Sequence, residues 1–101
     1  MDNQHQKIKG YRDLTQQEID LMNDIKAKGE ELGALLDKLS THVEMQRSEA
    51  IRAGSGKPGD INGELQRIDR AQPGRWLSIA RTDLQTGIMA AVRAIAQPTT
   101  F

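Results

Sequence analysis

The sequence predicts an all-α protein, an elongated antiparallel helical hairpin that assembles into a symmetric homo-oligomer. Three observations carry that expectation. Apolar residues recur at spacings of three and four along two long stretches, a glycine- and proline-rich break separates them, and no stretch alternates with the period of two that a half-buried strand requires. The expected self-association follows from the size of the core. With 101 residues, of which 37% are apolar and 3% aromatic, one chain would have a thin interior, because a small domain leaves a large share of its surface wet. Self-association is the natural way to cover the remaining apolar surface.

Taken in order, residues 1–10 are polar and without period, and read as a mobile basic arm ending at Gly10. The long helix is expected over 15–52. Thr15 followed three residues later by Glu18 forms a capping box: the threonine oxygen takes a free N–H of the first turn, and the glutamate reaches back to the threonine's own N–H. Beyond it, Met22, Ile25, Gly29, Leu32, Leu36, Leu39 and Val43 form the seam of a helix that packs on another helix, with Ile19, Leu21 and Leu35 on its flanks. Gly29 and Gly33, one turn apart, each cost roughly 1 kcal/mol relative to alanine in a helix. Close approach by a neighbour or a ligand explains them, and so does a tolerated kink. At ~1.5 Å per residue the helix is roughly 55 Å long, the length of a hairpin arm.

AGSGKPGDING, residues 53–63, holds four glycines and Pro58 and marks a loop. Its GSGK is no phosphate-binding loop: no strand precedes it, and Pro58 follows the lysine where a Ser or Thr opening a helix is required. Residues 64–72 read as a short helix or turn, after which Pro73-Gly74 re-sets the chain or opens the next helix. The C-terminal helix is expected over 75–97, with Leu77, Ala80, Leu84, Ile88, Ala91 and Ile95 as its stripe and Pro98 as its stop. Gly87, Ala90, Ala91, Ala94 and Ala96 make its second half easy to approach.

Composition excludes several functions. Fourteen Lys+Arg balance fourteen Asp+Glu, which argues against a protein that grips duplex DNA through many phosphates. The halves differ: seven cations against ten acids leave residues 1–51 net negative, and seven against four leave residues 52–101 net positive, so the two halves suit packing on one another, within or between chains. There are no cysteines, hence no disulfide or thiolate chemistry, as befits a reducing cytoplasm. No apolar run reaches the roughly 18 residues of a membrane span, and the N-terminus has no apolar signal core. His5 and His42 have no partner at metal-ligand spacing, and neither a triad nor a carboxylate pair suggests itself, so no enzyme, metal or cofactor is expected.

The candidates for binding are few. Tyr11, the sole tyrosine, is flanked by Lys7, Lys9 and Arg12, and Lys26 follows in the helix; a ring and cations suit a small anionic, aromatic ligand, although an exposed tyrosine beside lysines is also ordinary surface. Lys26 stands about 15 Å of helical rise from the helix start, so two chains packed in opposite senses would bring one copy's Tyr11 to the other's Lys26. A two-fold axis then repeats the pair, giving two rings and two cations, the complement of a molecule with two bases and two phosphates. Trp76 reads first as a core or interface anchor. Arg67, Arg70, Arg75 and Arg81 form a basic group that is either a solvated face or, repeated about a symmetry axis, an anion site.

The stretch KIKGYRDLTQQEIDLMNDIKAKGEELGALLDKL, together with MAAVRAIAQP (Met89 to Pro98), resembles the phage anti-CBASS protein two family, sponges that sequester the cyclic oligonucleotide signals of bacterial immunity. The likeness is strongest in IKGY (Ile8 to Tyr11), the Thr15–Glu18 helix start, Ile25-Lys26, Leu32-Gly33 and Arg93 to Pro98. Residues 53–63 and the Pro73-Gly74 break depart from the family pattern. The resemblance implies a hexamer of helical hairpins that holds cyclic dinucleotides such as cyclic GMP-AMP at dimer interfaces, with Tyr11 stacking on a base and Lys26 on a phosphate. It also implies a separate three-fold site for cyclic trinucleotides that uses an arginine, for which Arg67 and Arg75 are the candidates. The action would be sequestration without cleavage, in the cytoplasm of the infected host. The competing expectations are a structural hairpin whose seam binds another protein's helix, and a small nucleic-acid binder acting through the Lys7–Arg12 arm.

Overall fold

A computed structural model of the chain describes residues 12–54 and 63–99. The basic arm, Tyr11 and most of the glycine-rich loop lie outside the described residues. Three helices account for the regular structure among those described: α1, Gln16–Arg52; α2, Glu64–Ala71; and α3, Pro73–Ala96.

α1 starts where the capping box starts it. The Glu18 N–H donates to Thr15 Oγ1 at 3.2 Å, and the Thr15 N–H donates to a Glu18 carboxylate oxygen at 2.9 Å, so each residue satisfies a donor that the first turn leaves open. The helix continues for 37 residues and ends beside Gly54, whose φ of +97° only glycine adopts without strain. α2 is opened by Gly63, also at positive φ, with no side-chain cap.

The ends of α2 and α3 share one device. Ala71-Gln72-Pro73 and Ala96-Gln97-Pro98 both place glutamine in the left-handed region, at φ +51° in each case, with its N–H on the carbonyl four residues back, Ile68 at 3.0 Å and Arg93 at 2.8 Å. A residue before proline is disfavoured in the right-handed helical region, and the left-handed turn closes the helix. At the first of these sites Pro73 then opens α3 directly, since a proline at the first helical position lacks only an N–H that would be unpaired anyway. The Gln72 carbonyl accepts from the Trp76 N–H.

The chain's contacts divide it into two compact units, one built from Met1–Glu31 and Asp83–Phe101, the other from Leu32–Thr82. In the first, α1 and the second half of α3 run antiparallel: Gly29 faces Ile88, while Arg12, just ahead of α1, meets the carbonyl of Ile95. In the second, α1 runs antiparallel to α2 and the start of α3, with Asp37 accepting from Arg81 at 2.9 Å and Asp69 accepting from Arg47.

Leu77, Ala80, Leu84, Ile88, Ala91 and Ile95 are all half-buried. On α1 the seam differs from the expected one. Met22, Ile25, Gly29, Leu36 and Val43 are half-buried, but Leu32 and Leu39 are exposed and Gly33 and Ser40 take their places. A heptad repeats every 3.5 residues and an α-helix turns in 3.6, so the two drift apart by about 20° per heptad, and the leucines of a strict heptad rotate onto the flank. Among the described residues only Ala50, Ile68 and Ala96 are buried apolar side chains, while Leu21, Leu32, Leu35, Leu39, Met45, Ile51, Trp76 and Met89 are exposed.

Candidate functional site

Lys26 lies in the first unit, three residues ahead of the Gly29–Ile88 contact, and is exposed. It has no hydrogen bond or ion pair with a described residue. The contrast is with Lys28, whose Nζ is 3.3 Å from the Glu31 carboxylate. An ammonium with no carboxylate partner among the described residues is open to an anionic ligand, and lysine serves phosphate as a compact point charge. Tyr11, its expected companion, lies outside the described residues.

The two arginine candidates sit in the second unit and face different partners. Arg67 forks onto Glu64 one turn back on α2, Nε to Oε2 at 2.9 Å and Nη2 to Oε1 at 2.5 Å; the pairing holds the Glu64 carboxyl below its usual range, chiefly through the hydrogen bond from Arg67. Arg75 has its guanidinium carbon 5.0 Å from the ring centroid of Trp76, a cation over an aromatic face that is 58% exposed. An anion reaching Arg67 competes with an exposed carboxylate, a weak partner in water, whereas Arg75 keeps its donors while resting on a ring.

Sequence reasoning treated Arg12 only as one of the cations around Tyr11. In the structure its side chain joins two helices. Its guanidinium donates to both oxygens of Glu18, through Nη1 at 3.3 Å and through Nη2, and Nη2 donates as well to the Ile95 carbonyl at 2.7 Å. The carboxyl of Glu18 is pulled down to about 2, first by the hydrogen bond from Arg12 and then by the N–H of Thr15. Arg12 Nε is buried without a hydrogen-bond partner. The signal in the sequence was Glu18, whose capping role was legible; its second role was not, because six residues spanning a helix boundary follow no helical spacing.

Among the described residues no group of three or more His, Cys, Asp or Glu could hold a metal, and no helix is long and apolar enough to cross a membrane. The fold and these side chains define a small helical hairpin that carries cations on exposed faces. The chain belongs to the Acb2/Tad1 hairpin-domain family, whose pattern matches residues 3–96. It is similar to Anti-CBASS protein 2 of Pseudomonas phage JBD67, with 52% identity over 106 aligned positions that cover 97% of each protein.

Proposed function

We propose that this protein is a phage anti-defence sponge. It binds cyclic dinucleotides of the cyclic GMP-AMP type, and cyclic trinucleotides at a separate site, without cleaving them, in the cytoplasm of the infected host, and so keeps CBASS effectors inactive. The observation that carries this reading is the near full-length similarity to a protein named for opposing CBASS. Lys26, exposed and without a carboxylate partner among the described residues, supports it from the side of the chemistry. Tyr11 supplies a base-stacking ring and Lys26 a phosphate contact, from neighbouring copies in a homo-oligomer, a hexamer by family resemblance. The exposed leucines of α1 and the few buried side chains favour such an assembly, because large exposed apolar area marks an interaction surface. Arg67 and Arg75 are the candidates for the trinucleotide site.

Calorimetry with cyclic GMP-AMP tests the proposal. Binding at about one ligand per two chains is expected from a two-fold site. Tyr11→Ala and Lys26→Ala should each weaken it by at least about 30-fold, since two contacts worth roughly 1–3 kcal/mol each disappear together. No heat with any cyclic di- or trinucleotide would falsify the reading. The same exposed leucines would suit a helix of another protein; formation of a stoichiometric complex with such a partner, indifferent to nucleotides, would favour a purely structural role.

A further inference from the structure

We infer that Glu64 is a built-in competitor at Arg67: its carboxylate occupies the guanidinium as an anionic ligand would, and so sets the least affinity that a phosphate-bearing ligand must bring to that residue. This deepens the function proposed above and rests on Arg67 being a contact for cyclic trinucleotides. The arrangement starts in the first turn of α2. The Arg67 N–H donates to the Gly63 carbonyl at 2.9 Å, which closes the turn, and side chains three apart on a helix are neighbours on its surface. The Arg67 fork then closes on both Glu64 oxygens, Nε to Oε2 at 2.9 Å and Nη2 to Oε1 at 2.5 Å. Two parallel N–H bonds to two oxygens are also the way arginine takes a phosphate, so the carboxylate stands where that group would.

Two comparisons separate this pair from a packing contact. Arg47 with Asp69 and Arg81 with Asp37 bridge positions 22 and 44 apart and tie α1 to α2 and to α3, whereas Glu64 and Arg67 lie within one turn of one helix and join nothing else. Lys28 and Glu31, at the same spacing in α1, share a single contact at 3.3 Å, and Glu64 and Arg67 share two. Arg67 and Glu64 are 54% and 41% exposed, so a ligand can reach them, and the bond it must displace or neutralise is a weak one in water. The hydrogen bonds from Arg67 hold the Glu64 carboxyl below its usual range, which keeps the competitor charged at neutral pH. The consequence is selectivity, because a fixed penalty falls equally on every anion. An ion held by Arg67 alone is pushed above its working concentration, while a ligand with further phosphates and bases has other contacts to offset the loss.

The test uses the full chain with Glu64→Gln, Asp69→Asn and Arg67→Ala, and calorimetry with cyclic tri-AMP at low salt. Glutamine keeps the shape of the side chain without its charge. Glu64→Gln is expected to bind about 5-fold more tightly than the parent, with the gain shrinking as salt is added, and inorganic phosphate should displace the nucleotide more readily from it. Asp69→Asn removes the same charge from α2 without touching the Arg67 fork and should bind as the parent does. A helix-supporting role has the opposite sign: α2 has no side-chain cap, a carboxylate in a first turn favours the helix, and its loss would fray α2 and weaken binding. Parent-like or weaker binding by Glu64→Gln therefore overturns the competitor role, and so does an equal gain in Asp69→Asn, which would make it an effect of net charge. Parent-like binding by Arg67→Ala removes Arg67 from the site, and this inference with it, while the sponge stands. If neither the parent nor Glu64→Gln takes up cyclic tri-AMP but cyclic GMP-AMP still binds, the separate site and this inference fall and a dinucleotide sponge remains. With neither nucleotide bound, the proposed function falls as well.

Discussion

The Glu18 carboxylate accepts from the Thr15 N–H and from two nitrogens of Arg12, and all three bonds are stronger to the ionised form. Its pKa is therefore held at about 2 against an ordinary 4.5. The sign of the pH dependence follows. A carboxyl with a lowered native pKa contributes stability above its unfolded value and loses it as pH falls through its native value, so the contribution is complete at neutral pH and fades from about pH 4.5 down to about pH 2. Carboxyl-carbon NMR titration should find the Glu18 midpoint well under that of the other glutamates, and Arg12→Ala should return it toward the ordinary range. An unchanged midpoint in that variant would mean that Arg12 is not the cause. Added salt should narrow the difference, because both side chains are partly exposed. Half of this junction was legible in advance: the Thr15–Glu18 spacing is a local code, while the reach from Arg12 to Ile95 spans 83 positions and depends on how α1 meets α3.

At the scale of the helices, α3 was legible because its apolar period matches its own geometry, whereas α1 carries a leucine pattern that drifts off the packing face. The paired glycines of α1 separate in the same way. A Cβ built on Gly29 would lie 3.3 Å from Ile88 Cγ1, with two further Ile88 carbons within 3.5 Å, but one on Gly33 would meet nothing within 4 Å. Close approach explains Gly29 and leaves Gly33 unexplained within the chain. Gly33→Ala should therefore gain the helical preference of alanine, up to about 1 kcal/mol, while crowding against Ile88 cancels or reverses that gain in Gly29→Ala. Adding Ile88→Val to Gly29→Ala should recover part of it by removing one methyl group. Thermal unfolding of the four proteins checks this, and equal shifts for the two glycine variants would contradict the packing argument.

For the molecule as a whole, three buried apolar side chains among the described residues, set against eight large exposed ones, leave a single chain short of the burial that normally offsets chain entropy. The composition pointed to association, and the opposite charge of the two halves to their packing on one another within or between chains, but which faces meet is not written in one chain's periodicity, because an apolar position on the flank of a helix looks alike whether a neighbour copy or water covers it. Association has a measurable signature: an obligate oligomer unfolds at a temperature that rises with protein concentration. The unfolding midpoint should fall across a hundred-fold dilution, and Leu35→Glu, at a position 59% exposed, should flatten that dependence while leaving the helix content of the chain intact. Ligand adds a second, separable term. Cyclic GMP-AMP at about 100 times its dissociation constant stabilises a binding protein by about 2.7 kcal/mol, so the midpoint should rise further with nucleotide in the parent and not in Lys26→Ala. A sponge must also return its cargo unaltered, and mass measurement of the nucleotide released by denaturation should recover intact cyclic GMP-AMP. A midpoint independent of concentration would sink the assembly, and linear nucleotide in the released fraction would turn the sponge into a hydrolase.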